Sequence, residues 1–406
     1  MKKRMLACVM CALFALITAC SESASAAPDD ASPIKIGLVV PLTGPNSFGG
    51  NDTKNAAEMA VKEKGTLLGR PVELIVADAP TEDEYATQVA RLASVEGVKF
   101  FTTGYVYNEP SNQKAVETNG GFLMDCIGWN PELVAGPHPN YFLFTPTYIT
   151  FNQSVADYAV RFGKENLGKE PADLRVGIIS NTTFQYMAKY VDEFLRGHGV
   201  TPVMYDVYDD NIRDFTAIVQ KLRSAKCDIV IPTQLDSDAE QFFRSLTTLG
   251  YRPPIIFGTG LAYDGTAFPQ YGLPGVMSVS YANPGINPAG APGLAEFIAN
   301  FTAAYGNAPG THALCEYVGM KALLQGIENA GSLEFDAVRE GILKIDVPNG
   351  GTAAGWGLKF NQELHYNERS QPLMLGQWFE ENGKLVYKAV GPGDLAVTEA
   401  VIPWTK

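Results

Sequence analysis

From residue 34 onward the chain alternates short, continuous apolar runs with stretches in which apolar side chains recur every three or four residues. The run 34–40 (IKIGLVV) is hydrophobic at almost every position, as expected of a strand covered on both faces rather than one with a wet side. Residues 51–64 follow with Ala56, Met59 and Ala60 at helical spacing, which places them on one face of a helix. The same reading predicts a strand over 72–77, a helix over 82–95, and strands over 98–103 and 122–126. A second series then repeats the scheme, with strand 174–180, helix 184–197, strand 203–207, helix 215–225, strand 228–232 and helix 239–249. Apolar strands separated by helices call for parallel sheets with helices on both faces. The expected fold class is therefore α/β, as two doubly wound parallel-sheet lobes. Breaks rich in Gly and Pro at 136–147, 281–292 and 347–357 predict three crossings between the lobes.

Residues 1–20 follow a different pattern. Lys2, Lys3 and Arg4 precede an apolar stretch over 12–17, which ends in small residues before Cys20. This is the layout of a secretory signal peptide. Two cleavage readings stand side by side. Residues 16–20 have the form of a bacterial lipobox, which would leave Cys20 as a lipid-modified first residue. Ala24-Ser25-Ala26 offers an ordinary A-x-A site. Residues 21–33 (SESASAAPDDASP) form a polar tether. No later stretch approaches the roughly 20 apolar residues of a membrane span. The expected location is periplasmic, with any membrane attachment confined to a lipid at Cys20.

Composition narrows the chemistry. With 31 basic against 44 acidic residues, the net charge is −13, so the chain lacks the cationic surface from which nucleic-acid binding draws its affinity. Of six cysteines, Cys8 and Cys11 lie in the leader and Cys20 is the lipid candidate. Cys126, Cys227 and Cys315 remain, and they read as small buried hydrophobes because no C-x-x-C or Cys/His ligand spacing occurs. His138, His198, His312 and His365 stand far apart, and the chain has no G-x-S-x-G, H-E-x-x-H or P-loop motif. A binding protein without metal or cofactor is expected, not an enzyme.

Several segments together carry a family likeness: IKIGLVVPLTG at 34–44, LGRPVELIVAD at 68–78, the strand 176–180 before a helix, Asp214-Phe215 before another, and Glu316-Tyr317 in a late helix. In that order they resemble the type I periplasmic solute-binding proteins of the branched-chain amino acid transporter group. The resemblance implies two lobes joined by three hinge crossovers, a small solute closed between them, and delivery to an ABC transporter permease. It also implies an N-terminal lobe of 34–147 plus 275–354 and a C-terminal lobe of 148–274 plus 355–406. A ligand-sensing receptor working with a separate signalling partner is the alternative role on the same fold.

Loops at the carboxyl ends of parallel strands line the crevice of such folds. Here they are 42–50, 104–111, 127–131, 181–186, 233–238 and 259–264. Tyr105, Tyr107, Trp129, Phe184 and Tyr186, with Tyr148 at the start of the second series, are candidates for flat apolar walls. Asn108, Ser111, Gln234 and Asp236 are candidates for directional polar contacts. Bland alternatives accompany them: one of Tyr105 and Tyr107 packs on the lobe, Phe184 and Tyr186 pack beneath the cleft, and Glu109 and Asp236 are helix-start charges. Asp125 interrupts an apolar strand, so it is either a hydrogen-bond hub or a cation anchor. Amino-acid-specific members of the family place hydroxyl residues where this chain has Ile-Gly-Trp-Asn-Pro at 127–131, and an acidic residue near Thr259-Gly260. Both anchors for a zwitterion are absent or relocated. Within a range that takes in branched-chain amino acid-like solutes, the expected ligand is an aromatic acid, an amide or a urea-like compound.

Overall fold

The computed structural model describes residues 31–44, 47–103, 109–128, 130–210, 212–234, 236–259, 261–264, 268–370 and 373–404. The leader, Cys20 and most of the tether therefore lie outside the described residues. The first sheet is built from β1 (Ile34–Val40), β2 (Thr66–Leu67), β3 (Arg70–Asp78), β4 (Phe100–Thr103), β5 (Phe122–Asp125) and β6 (Tyr141–Leu143), in the order β2-β3-β1-β4-β5-β6. Strand β1 runs parallel between two neighbours, with Ile36 opposite both Leu74 and Phe100. This central position is why it is apolar on both faces. Only the short β2 is antiparallel.

Helices α1 (Ser47–Lys64), α2 (Glu82–Ser94) and α3 (Glu109–Thr118) connect these strands. The start of α2 is encoded locally: the Thr81 backbone N–H donates to Glu84 Oε2 at 3.2 Å, a capping-box contact. Tyr85, Val89 and Leu92 then form its buried stripe. Helix α1 begins four residues before the expected 51. A Cβ on Gly50 would lie 1.9 Å from the Pro41 carbonyl oxygen, so the glycine there permits close packing of the helix start on the loop after β1.

The chain enters the second sheet through α4 (Tyr148–Leu167). It continues as β7 (Val176–Asn181), α5 (Gln185–Gly197), β8 (Met204–Tyr208), α6 (Thr216–Ser224), β9 (Ile229–Thr233), α7 (Asp236–Thr248), β10 (Ile255–Thr259), α8 (Leu261–Asp264) and β11 (Met277–Ser280). It returns to the first lobe as α9 (Leu294–Tyr305), α10 (Thr311–Ala330) and α11 (Phe335–Leu343). Helix α10 packs along α1 and over β4 and β5. It ends in the second sheet as β12 (Met374–Glu381) and β13 (Lys384–Gly391), giving the order β13-β12-β11-β10-β9-β7-β8. Both sheets are thus parallel at the centre and antiparallel at an edge, and the chain passes between them three times.

Two of the expected lobe boundaries move. Strand β11, placed in the N-terminal lobe by a boundary at 274/275, is hydrogen-bonded between β10 and β12 in the second sheet. The crossing therefore follows Ser280 and uses the 281–292 break itself. Residues 355–370, assigned to the C-terminal lobe, instead cover the edge of the first sheet. Tyr366 bridges Leu143 in parallel fashion, and the His365 ring stacks on Phe142 at 4.4 Å between centroids. The glycine-rich break at 347–357 is a turn that folds back on itself, with Val347 and Leu358 paired across it, and not a crossover. No helix among the described residues is long and apolar enough to cross a membrane.

Candidate functional site

The carboxyl ends of the parallel strands in each sheet carry a polar assembly. In the first lobe, Asp78 at the end of β3 ties down the loop after β1. It accepts from the Leu42 N–H at 2.7 Å, the Thr43 N–H at 3.3 Å and the Thr43 hydroxyl at 2.7 Å. Asp125 at the end of β5 is 1% exposed. Its Oδ1 accepts from the Thr103 hydroxyl at 2.6 Å, the Ile127 N–H at 3.2 Å and the Gly128 N–H at 2.6 Å, and its Oδ2 from the Tyr141 hydroxyl at 3.0 Å. Of the two readings of Asp125, the structure shows the hub. Burial still raises its affinity for a proton, opposed by the four donors.

In the second lobe a side-chain network spans the ends of β7, β8 and β9. Asn181 Nδ2 donates to Asp238 Oδ2 at 2.9 Å, the Tyr208 hydroxyl donates to the same oxygen at 3.2 Å, and Gln234 Nε2 donates to the Tyr208 oxygen at 2.8 Å. The Tyr263 hydroxyl closes the chain by donating to Gln234 Oε1. Asn181 Oδ1 meanwhile accepts from the Phe184 N–H at 2.8 Å, which satisfies one of the free donors at the start of α5. Burial raises the Asp238 pKa and pushes the Tyr208 hydroxyl well above its ordinary range, so the phenol stays a donor. Every member has a partner, the condition under which a buried polar network is rigid instead of costly.

Beside this network the second lobe presents aromatic rings. Tyr148 at the start of α4 lies 5.0 Å from Tyr186 and 5.4 Å from Tyr190, and Phe184 lies 6.4 Å from Tyr186. All four are half-buried. Phe184 and Tyr186 meet edge to face, and the two contacts of Tyr148 are tilted.

The candidate residues divide accordingly. Tyr148, Phe184 and Tyr186 come together in one aromatic cluster. Gln234 stands at the same strand ends, buried, with its amide nitrogen donating to Tyr208 and its amide oxygen accepting from Tyr263. Ser111 is exposed on α3. Asp236 opens α7. Tyr105, Tyr107, Asn108 and Trp129 lie outside the described residues.

Sequence reasoning missed Asn181, Tyr190, Tyr208, Asp238 and Tyr263. Asn181 and Tyr208 end their strands as polar tips, a usable signal. Asp238 and Tyr263 fall within the crevice segments 233–238 and 259–264 but sit in short helical stretches, and nothing in the sequence marks them as partners of Tyr208 and Gln234. Among the described residues, no group of three or more His, Cys, Asp and Glu has the arrangement to hold a metal. Cys126, Cys227 and Cys315 are buried and unpaired. At the start of α10, desolvation lowers the His312 pKa to about 4, which keeps its ring uncharged. The arrangement is equipped to enclose and orient a small molecule.

Known proteins share this organisation. The family model described as periplasmic binding protein matches residues 33–384. Leu/Ile/Val-binding protein homolog 8 of Brucella abortus is 29% identical over 378 residues, covering 90% of this chain and 92% of its own. The structure of the branched-chain amino acid transporter substrate-binding protein of Streptococcus pneumoniae in complex with isoleucine superposes with a TM-score of 0.71 at 16% identity, covering 89% of this chain and 100% of its own. A solute-binding protein of an ABC transporter from R. palustris in complex with benzoate gives a TM-score of 0.70 at 16% identity, covering 92% and 100%. At these identities the two structures speak for the fold, and the family model speaks for kinship. The chain belongs to the periplasmic binding protein family and is an extracytoplasmic solute-binding protein.

Proposed function

We propose that this protein captures a small aromatic acid or amide, in preference to an aliphatic α-amino acid, and hands it to the permease of an ABC importer. The observation that carries the ligand class is the state of the loop after β5. Its opening amides, Ile127 and Gly128, donate to the protein's own Asp125, so these backbone donors are taken, an amide needs none of them, and the carboxylate of an aromatic acid is held elsewhere in the cleft. The aromatic cluster of Tyr148, Phe184, Tyr186 and Tyr190 offers stacking surface instead. That the fold itself accepts either chemistry is illustrated by the isoleucine-bound and benzoate-bound structures.

Capture is read as closure of two lobes about the three crossings, the first lobe comprising 34–147 and 281–370 and the second 148–280 and 373–404. Closure excludes water and strengthens each polar contact inside, and the solute stabilises the closed state by its differential affinity. We also propose attachment through a lipid at Cys20, supported by the lipobox form of 16–20 and by the polar spacer between Cys20 and the first strand at Ile34. Mass spectrometry of the mature N-terminus is expected to find a lipidated Cys20; a chain beginning at Ala27 overturns the anchor.

The ligand class is tested by thermal melting of the purified protein with benzoate, short amides, urea and leucine. A solute at about 100 times its Kd stabilises the fold by roughly 2.7 kcal/mol. Benzoate or an amide is expected to raise the Tm; submicromolar leucine binding overturns the assignment.

A further inference from the structure

One buried carboxyl plays no part in the assemblies above. Glu316, on the second turn of α10, is 0% exposed, and neither Oε atom has a hydrogen-bond partner. Thr102 of β4 and Cys126 just beyond β5 lie beside it. Neither makes a well-directed hydrogen bond to it, and the Thr102 hydroxyl is itself unpartnered. The seam is tight: a Cβ on Gly319, one turn further along α10, would come within 2.4 Å of Cys126 Sγ. Adjacent residues of a strand point to opposite faces. Thr102 therefore faces Glu316 while Thr103 faces Asp125, and two carboxyls flank the ends of β4 and β5 from either side.

The titratable neighbours leave Glu316 without a counter-charge. Asp125 approaches from β5, Cys126 from just beyond it, Cys315 from α10 itself and Tyr85 from α2. Asp52 of α1 meets the N-terminus of α10 by accepting from the Gly310 N–H at 2.8 Å. Burial raises the pKa of both thiols and of the phenol, and no cationic side chain is among these groups. Burial disfavours the charged form and raises the Glu316 pKa from 4.5 to about 8, opposed by the neighbouring Thr102 hydroxyl and Cys126 thiol and helped by the negative charge of Asp125.

We propose that Glu316 is a positioning residue for the solute-facing ends of β4 and β5: as an uncharged carboxyl it lets α10 seat against Thr102 and Cys126, and its ionisation drives an unpaired charge into that seam and loosens both strand ends. The consequence is a binding protein whose first lobe softens locally under alkaline conditions while its second lobe does not. The proposal builds on the solute-binding reading, yet its test needs no ligand, so an unsuccessful ligand search leaves it standing.

The test compares the full mature chain with Glu316→Gln, which keeps the shape of the uncharged acid and cannot ionise. Urea unfolding is followed from pH 5 to 9, with amide hydrogen exchange of both proteins at each pH. Between about pH 5 and 8 the unfolding equilibrium of the natural protein is expected to shift toward the unfolded state by close to tenfold per pH unit relative to the variant. Protection at residues 100–103 and 122–128 is expected to fall in the natural protein alone. Glu316→Met, a second uncharged side chain of similar length, carries the same expectation. Parallel pH profiles for natural protein and variants overturn the proposal, as does a loss of protection spread evenly over both lobes. If neither uncharged variant folds at any pH, an uncharged occupant is not what the seam requires and the assignment falls.

Discussion

The strand ends of the two lobes solve the same problem in opposite ways. In the second lobe, Asn181, Asp238, Tyr208, Gln234 and Tyr263 satisfy one another in a chain of side-chain hydrogen bonds, with aromatic rings set beside it. In the first lobe, Asp125 gathers four donors on one face of the sheet, while Glu316 and Thr102 stand unpaired on the other. A satisfied network holds a wall still; an unsatisfied carboxyl makes its surroundings sensitive to protons. The strand ends of the second lobe are thus held by a closed network, and those of the first lobe carry the group that the proposal above makes sensitive to protonation.

The comparison can be broken most severely at its hub. Asp125→Ala leaves the Thr103 and Tyr141 hydroxyls and the Ile127 and Gly128 amides without their acceptor. It is expected to cost about 4 kcal/mol in urea unfolding, since each stranded buried donor costs about 1–3 kcal/mol and part of that is regained by relaxation. A cost below about 1 kcal/mol would remove Asp125 as the organiser of the first lobe.

Next in size is a pH effect at the N-terminus of α10. Asp52 is buried on α1, and burial raises its pKa from 3.8 to about 6 despite the Gly310 hydrogen bond. The native state holds this proton more tightly than the unfolded chain. The resulting stabilisation is fully present below about pH 3.8 and lost as pH rises through about 6, a difference of roughly 2–3 kcal/mol at 1.36 kcal/mol per pH unit. In Asp52→Asn that interval of the stability curve should flatten, as read by the Tm at pH 4 and pH 7. An unchanged slope would show that the carboxyl is solvated.

The second lobe should respond more mildly. Tyr208→Phe removes the hydroxyl that links Gln234 to Asp238 and is expected to cost about 1–2 kcal/mol, with exchange protection lost in the second lobe alone. A loss that reached Thr103 and Gly128 would mean the two assemblies are coupled. The smallest effect on stability, below about 1 kcal/mol, is expected for Tyr148→Ala, which truncates a half-buried ring. Its consequence lies in binding: affinity for whichever panel solute binds should fall about tenfold, or about 1.4 kcal/mol, measured by calorimetry. Unchanged affinity would place the solute elsewhere.

Much of this architecture is legible along the chain. The run 34–40 and its counterparts at 174–180 and 228–232 were expected as strands and lie within two residues of β1, β7 and β9, because a strand buried on both faces must be apolar throughout. The start of α1 was hidden, since Phe48-Gly49-Gly50 reads as loop by propensity and becomes helix through packing on Pro41. The hairpin β12–β13 had a readable turn signal in Asn382-Gly383, both with positive φ, the pair favoured in tight hairpin turns. The breaks at 281–292 and 347–357 look alike in composition. Only pairing partners distinguish a crossing from a turn that folds back.

The order of strands and helices, the class of fold and the absence of a nucleic-acid or metal-site signature follow from local composition and period, because burial on one face or two leaves its mark on neighbouring residues. The partnerships that shape the site do not. Asn181 finds Asp238 across 57 positions and Tyr208 finds Asp238 across 30, while Glu316 reaches Thr102 and Cys126 from a helix that returns to the first lobe only after five strands of the second sheet have been laid down. Which buried polar group is satisfied, and which is left alone, depends on atoms that folding brings within 3 Å, and hydrophobic periodicity carries no record of such distances.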